Sequence, residues 1–481
     1  MLQKMTNRIG SFFSTGYDAI KTTGKRKAAS AVLKTEDEQL KGRDRKQMIG
    51  TGRELARNYS MVQWAIRKHL DYVTQYDFQM KTDNDELNER VETLMMEWMR
   101  PTSCDTAGRH PFPRLLRMLE ARRVLDGDCF LLKRRNGTLQ TIEGDLIQDP
   151  DRADQGERWF NGCHVNASGR TIAWGLHKRE SYGQTKFVRR VKAQNMIQHA
   201  CFERFDQCRG ISPLAAAYNS FRDCYEGVDH QLALMKAQSL FAMVVTSGAE
   251  DGMGEITKTG DGYDVDFGKG PLKLEMDPGD DAKFLKTDSP GDSTQSFLNL
   301  VLGMAIKSLD LPYNFLDEGH TNFFGSRAAW LLYDRSCHAK RADVLEVLRQ
   351  VTVWLLRIWI TNGTIRLPAG TTINDVPFVW IHRGMPWWDP SKEITGDLLA
   401  ISAGLDNPIR LCAARGNGDF ETNIKQIAKA MAIAKENEVP VSFAMGESVP
   451  AQADAEEEDE DSEESSEESE NDSNPTNEDD E

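Results

Sequence analysis

The stretch Phe202-Glu-Arg-Phe-Asp-Gln-Cys-Arg-Gly-Ile-Ser-Pro-Leu214 marks a change in the character of the chain. Ser212 suits a helix cap and Pro213 a first helical turn. Beyond them Leu214, Ala217, Phe221, Tyr225, Val228, Leu232 and Met235 recur on one face of a long helix expected to end near Val245. Before the stretch, apolar runs are short and separated by Gly, Asp, Asn or Ser. Cys129 to Lys133, the turn Asn136-Gly137 and Leu139 to Ile142 read as a hairpin, with further strands expected at Arg170 to Leu176 and Phe187 to Val191. Three helices precede them. One starts near Arg53 and buries Leu55, Val62, Ala65, Ile66, Leu70 and Val73; one covers Leu87 to Met99 and stops at Arg100-Pro101; one runs from Phe112 to Leu125. The first 200 residues thus predict an α+β module.

Downstream, Thr246 to Asp292 is rich in glycine and aspartate, with alternating runs at Tyr263 to Phe267 and Leu272 to Met276, and reads as a small β-rich insertion. A helix starting at Asp292-Ser293 places Phe297, Leu300, Val301, Met304 and Ala305 on one side and ends at Leu311-Pro312-Tyr313-Asn314. A polar loop with Gly319, His320, Asn322 and Gly325 leads to the longest helix, Ser326 to Ile360, which would span about 50 Å. After a strand at Phe378 to Ile381, one helix begins at Asp389-Pro390 and carries Ile394, Leu398, Ile401 and Leu405. Another begins near Asp419 and carries Ile424, Ile427 and Met431.

The net charge of -16 argues against a nucleic-acid partner only until its location is considered. Residues 454–481 hold 17 acidic and no basic residues, so the preceding 453 residues carry a net charge of +1. That acidic segment cannot bury enough apolar surface to order itself. At the other end Lys25-Arg26-Lys27, Lys41, Arg43, Arg45 and Lys46 fit a flexible basic arm, either a solvated terminus or a contact for nucleic acid or scaffold.

Chemistry-bearing patterns are missing. There is no GxxxxGK[ST] loop, no GxGxxG after a strand, no HExxH and no GxSxG. Arg415-Gly416-Asn417-Gly418-Asp419 follows a helix and reads as a capped turn, and Asp126-Gly127-Asp128 as a turn before a strand. Eight cysteines lack CxxC spacing and no apolar signal segment precedes them, so disulfides are not expected. Cys201, Cys208 and His199 could be read as a zinc site, but without paired spacing they read as ordinary thiols and a histidine. Asp145, Asp149, Asp151 and Asp154 could hold a divalent metal in a nuclease, or be exposed turn residues around Pro150 and Gly156. The helices at 390–405 and 420–436 are about 14 residues apart, too far for a DNA-reading helix-turn-helix. The most apolar helical run, Val344 to Ile360, is broken by Arg349, Gln350 and Arg357, so no membrane span is expected.

Five segments, in order, resemble motifs of lambda-type tailed-phage portal proteins. Phe202 to Leu214, with Gln207, Arg209, Gly210 and Ser212, resembles the family's Q-x-R-G-hydrophobic-S signature, except near Glu203-Arg204-Phe205, where its first arginine is displaced. Arg53-Glu-Leu-Ala-Arg57-Asn58 resembles its RxLxRN helix, and Leu125-Asp-Gly127-Asp-Cys-Phe130 its strand entry. Leu311-Pro312-Tyr-Asn-Phe-Leu316 with Ser326-Arg327-Ala-Ala329 resembles its LPY and SxRAA pair, and Trp388-Asp389-Pro390-Ser-Lys392-Glu393 its W-x-DP-x-KE segment.

The resemblance implies a ring subunit of the head-to-tail connector, the ring usually of twelve, with an α+β portal fold. Its parts would be a basic N-terminal arm at 1–48, an α+β wing at 49–211, a first stem helix at 212–245, a clip at 246–292 and a second stem helix at 293–311. A tunnel loop at 312–325, a long helix at 326–360, a return to the wing at 361–390, a helical crown at 391–445 and an acidic tail at 446–481 would follow. It implies no catalytic residues and no cofactor or metal. Lys307, Asn322, Ser326 and Arg327 are candidates for sequence-independent contact with double-stranded DNA; a capped helix start with intersubunit salt bridges is the alternative for them. Lys258, Lys269, Lys273 and Lys283 would lie on the clip that docks the terminase large subunit and later the head-completion protein, while major capsid and scaffold proteins would be further partners. The chain would reside at the portal vertex of the virion, and in the host cytoplasm during assembly. A metal-dependent DNA-processing enzyme using Asp145 and Asp149, or a capsid or tail protein without a channel, are the alternatives.

Overall fold

The computed structural model describes residues 32–152, 156–240, 243–247, 280–284, 292–316, 323–368, 370–383 and 389–439. Helix α1 (Gly42–Asn58) and helix α2 (Ser60–Val73) meet at Tyr59, whose extended backbone breaks what the sequence suggests is one helix. A one-turn helix, Glu36–Gln39, capped by Thr35, precedes α1, so the basic arm expected through residue 48 is corrected: from Thr35 onward the chain is folded. The inward face is Arg45, Ile49, Gly52 and Leu55, and the buried arginine at its head hides the apolar period.

Strand β1 (Tyr76–Met80) is followed by α3 (Asp85–Trp98), capped by the Asn84 side chain on Leu87 N–H, and by α4 (Phe112–Asp126). Strands β2 (Asp128–Lys133) and β3 (Leu139–Glu143) form the expected hairpin. Next come β4 (Arg158–Phe160), β5 (Cys163–Val165), β6 (Thr171–Arg179), β7 (Thr185–Lys192) and β8 (Met196–Ala200). Two antiparallel sheets result, in the orders β3-β2-β8 and β4-β5-β6-β7.

A 3-10 turn, Pro213–Ala217, opens α5 (Tyr218–Leu240). The helix does not reach Val245: β9 (Met243–Ser247) is a strand paired with β10 (Asp280–Phe284), in keeping with the β-branched run at its centre. The strands expected at Tyr263 to Phe267 and Leu272 to Met276 lie outside the described residues. Helix α6 (Asp292–Ile306) packs on α5, where a Cβ on Gly227 would sit 3.0 Å from Leu298. Helix α7 (Phe323–Thr361) is about 58 Å long. Strand β11 (Phe378–His382) returns to pair with β1, Trp380 opposite Phe78. Helices α8 (Pro390–Ser402), α9 (Pro408–Arg415) and α10 (Phe420–Glu436) complete the described chain. The sequence pattern had not indicated α9, which is only eight residues long.

The main core gathers Leu55, Leu70, Leu116, Leu214, Ile306, Tyr333 and Leu348, tying α1, α2, α4, the 3-10 turn, α6 and α7 together. Phe130, Ile142, Trp174 and Val191 join the two sheets, and Met80, Val91 and Leu356 join β1, α3 and the end of α7. Truncating one of these fully buried leucines costs about 2–5 kcal/mol.

Candidate functional site

Five of the motif residues, Arg53, Gly127, Arg209, Gly210 and Ser212, converge where α4 gives way to β2. Gly127 closes α4 at φ +89°, a conformation that L side chains rarely adopt, and a Cβ there would lie 2.6 Å from the Gly210 carbonyl oxygen. The two backbones touch, and Cys201 N–H donates to Gly127 O at 3.0 Å while Ile211 N–H donates to Cys201 O at 3.1 Å. Arg209 threads the gap fully buried. Its Nε and Nη2 donate to Asp128 at 2.6 and 2.8 Å, Nη2 also to Gly144 O at 2.7 Å, and Nη1 to the carbonyls of Ile147 and Asn161. All of the guanidinium is therefore used, as a buried arginine requires.

Asp128 also accepts from Gly210 N–H at 3.1 Å and pairs with Arg45 at 3.1 Å, and Arg45 Nη2 donates to Gly210 O at 2.6 Å. Burial opposes ionisation of Asp128, but Arg209 and Arg45 outweigh it and hold the carboxyl below the usual carboxylate range. Burial, then the like charge of Arg209, lowers Arg45 from its ordinary value. Ser212 Oγ accepts from Leu214 N–H at 3.1 Å and donates to Val124 O at 2.6 Å, so the start of α5 is bonded to the end of α4.

A second ionic group lies beside the first. Arg53 grips Asp126 with Nε and Nη2 at 2.9 and 2.6 Å and reaches Asp145 at 2.8 Å; Arg179 pairs with Asp145 at 2.8 Å and with Glu143. Asp145, with a side chain only 18% exposed, is therefore not the solvent-exposed turn residue the sequence suggests. Asp149 Oδ1 accepts from Gly162 N–H at 2.6 Å, while Asp149 and Asp151 are exposed and Asp154 lies outside the described residues. His199 donates to Glu120 at 2.6 Å, as His69 does at 2.7 Å, and both Glu120 oxygens also accept from Arg123. It is not grouped with Cys201 and Cys208. Among the described residues no cluster of three His, Cys, Asp or Glu could hold a metal ion.

Not every motif residue joins this centre. Gln207 Oε1 shapes a local turn by accepting from Glu203 and Arg204 N–H, and Arg57 and Asn58 are exposed at the end of α1. Pro312 precedes a one-turn helix whose Phe315 stacks on Tyr72. Asp389 caps α8 on Lys392 N–H, with Pro390 in its first turn. Arg45, Asp126 and Asp128 belong to the centre without having been singled out. Charged residues on either side of a glycine, facing a separate Arg-Gly pair, are the only signal that could have found them.

Lys307 is exposed just beyond α6, and Ser326 and Arg327 sit in the first turns of α7. Arg327 lies 3.9 Å from Glu393 of α8, whose carboxylate also takes Arg415 at 2.6 Å. Asn322, Lys258, Lys269 and Lys273 lie outside the described residues, and Lys283 stands in β10 opposite Val244.

Much of the apolar face that the sequence gives α5 and α6 is open in the single chain. Tyr225 is 54% and Phe297 62% exposed, and Val228, Leu232, Met235, Leu300 and Met304 are exposed with them. Among the described side chains, the 3-10 turn with Leu214 and Ala217, the start of α5 with Phe221, and the end of α6 with Ala305 and Ile306 are buried.

A family model described as phage portal protein, lambda family, matches residues 23–341. A probable portal protein of Halomonas phage phiHAP-1 is 22% identical over 409 residues, covering 77% of this chain and 76% of the relative. A chain from the virion of a native gene transfer agent particle aligns with a TM-score of 0.44 at 14% identity, over 78% of this chain and 93% of that one. An HK97 family phage portal protein from Corynebacterium diphtheriae gives 0.25 at 9% identity, over 54% and 77%.

Proposed function

Because the chain belongs to the lambda family of phage portal proteins, we propose that it forms the closed ring at one vertex of a phage head, a dodecamer by family resemblance, through which DNA is packaged and ejected. Portal proteins are structural components of the virion, and the chemistry at the centre described above is that of an anchor. Family membership over residues 23–341 is the observation that carries the reading. The open apolar stripe on α5 and α6 supports it. Exposed apolar area of this kind is costly in an isolated subunit, and a ring closes by setting one patch against a different patch of the next copy.

In this reading α5 and α6 are the stem, and residues 246–292, with Lys258, Lys269, Lys273 and Lys283, are the clip that meets the terminase large subunit and the head-completion protein. Residues 312–325 are the tunnel loop. A conduit must let DNA slide, so its phosphate contacts should be few and indifferent to sequence. Lys307, Asn322, Ser326 and Arg327 would supply them, with the charge of Arg327 moderated by Glu393. The ring would also nucleate head assembly together with scaffold and major capsid proteins.

Binding of purified protein to two duplexes of unrelated sequence tests the DNA part. Equal affinities that weaken together as salt rises are expected, with Lys307→Ala shallower in salt dependence. A marked preference for one sequence would contradict the proposal.

A further inference from the structure

The turn of the β2–β3 hairpin and the end of β7 enclose a cleft of about 700 Å³. Lys133, Arg134, Arg135, Arg189, Arg190 and Lys192 line it. It shares Lys133, Arg134 and Arg135 with a recess of about 480 Å³ against α7, to which Arg349 and Arg357 add two more cations beside Trp354. No carboxylate lines either space. Arg190 pairs with Glu157 and Arg349 with Glu346, whereas Arg135, Arg189, Lys192 and Arg357 make no ion pair with a described residue. Burial, then the like charge of Arg357, lowers the Lys133 ammonium from its ordinary value, as befits a site short of anions. So many cations in a near-neutral body repel one another unless an anion joins them.

We propose that this cleft is the docking site of the chain's own acidic C-terminal segment, residues 454–481. That segment carries 17 carboxylates and no cation, and the arginine forks of the cleft are suited to paired carboxylates. The described chain ends at Val439, and the 14 residues from 440 to 453 can span up to about 50 Å. Helix α10 is fixed next to β1 and α3 by Asp419 on Lys81 and Lys425 on Asp85, and α3 packs against Leu356, the neighbour of Arg357. A short tether gives an effective concentration of order millimolar, so modest electrostatic attraction suffices for docking.

Carbodiimide coupling of the full chain, followed by peptide mass spectrometry, tests it. The reagent condenses a carboxylate with a lysine amine to an amide, and takes up the water lost as its urea. Links from Lys133 or Lys192 to residues 454–481 are expected at low ionic strength and should vanish at high salt. In the variant Arg134→Glu, Arg135→Glu, Arg189→Glu their yield should fall about tenfold. Thermal unfolding should be unchanged, because all three side chains are exposed. Absence of these links, or the same yield in the variant, would overturn the proposal. So would a result in which the tail stays unlinked while charge reversal weakens binding of duplex DNA, which would make the cleft a phosphate site.

Discussion

At the scale of single residues, the contact of Asp126-Gly127-Asp128 with Arg209-Gly210 decides how the sheets and the long helices meet. Arg209→Met strands a buried carboxylate that keeps Arg45, the Gly210 N–H and a long 3.5 Å bond from Gln198. A loss of about 3–5 kcal/mol in urea unfolding is expected. Gly127→Ala meets both a positive φ and the Gly210 carbonyl, so a loss of at least about 2 kcal/mol is expected by the same measurement. Burial, and then the charge of Arg341, lowers His382 from 6.5 to about 4, and burial lowers His69 from 6.5 as well. Both groups bind protons more readily when unfolded. Their contribution to stability is complete above pH 6.5 and is lost as pH falls below it, for His382 toward about 4. His382→Gln can keep an N–H for Tyr72 O and should flatten that part of the stability profile. Gly127, Arg209, Gly210 and Ser212 stand out in the sequence because special backbone and capping roles need particular residues. Arg45, Glu120 and Asp128 do not, since charged side chains are surface residues by default and only their partners across the fold make burial tolerable.

At the scale of elements, the stripe on α5 and α6 is the feature with the clearest consequence. Phe297→Ser combined with Leu300→Ser should leave thermal unfolding of the single chain within about 0.5 kcal/mol of the original, as for other exposed positions. Its self-association, measured by sedimentation, should be lost. Retained association would move the interface elsewhere. Helical period makes α3, α4 and α7 plain from the sequence, and the Asn-Gly turn makes the β2–β3 hairpin plain. Period alone gives the orientation of the stripe and not what it meets. Strands β4 and β5, three residues each, are too short to show alternation. The break at Tyr59 has neither proline nor glycine to announce it.

At the scale of the whole molecule, a near-neutral body with a strongly acidic C-terminal segment suits the proposed conduit, which would pass DNA without holding it. Removing residues 454–481 should change head assembly or the length of DNA packaged; unchanged behaviour in both would count against any role for the segment. The family is legible in the order of five short motifs, whereas the ring itself belongs to contacts between copies and cannot be read from one chain. Electron microscopy of the purified protein in negative stain tests the central claim most directly: closed rings with an axial hole are expected, and sheets, cylinders or uniformly monomeric particles would contradict it.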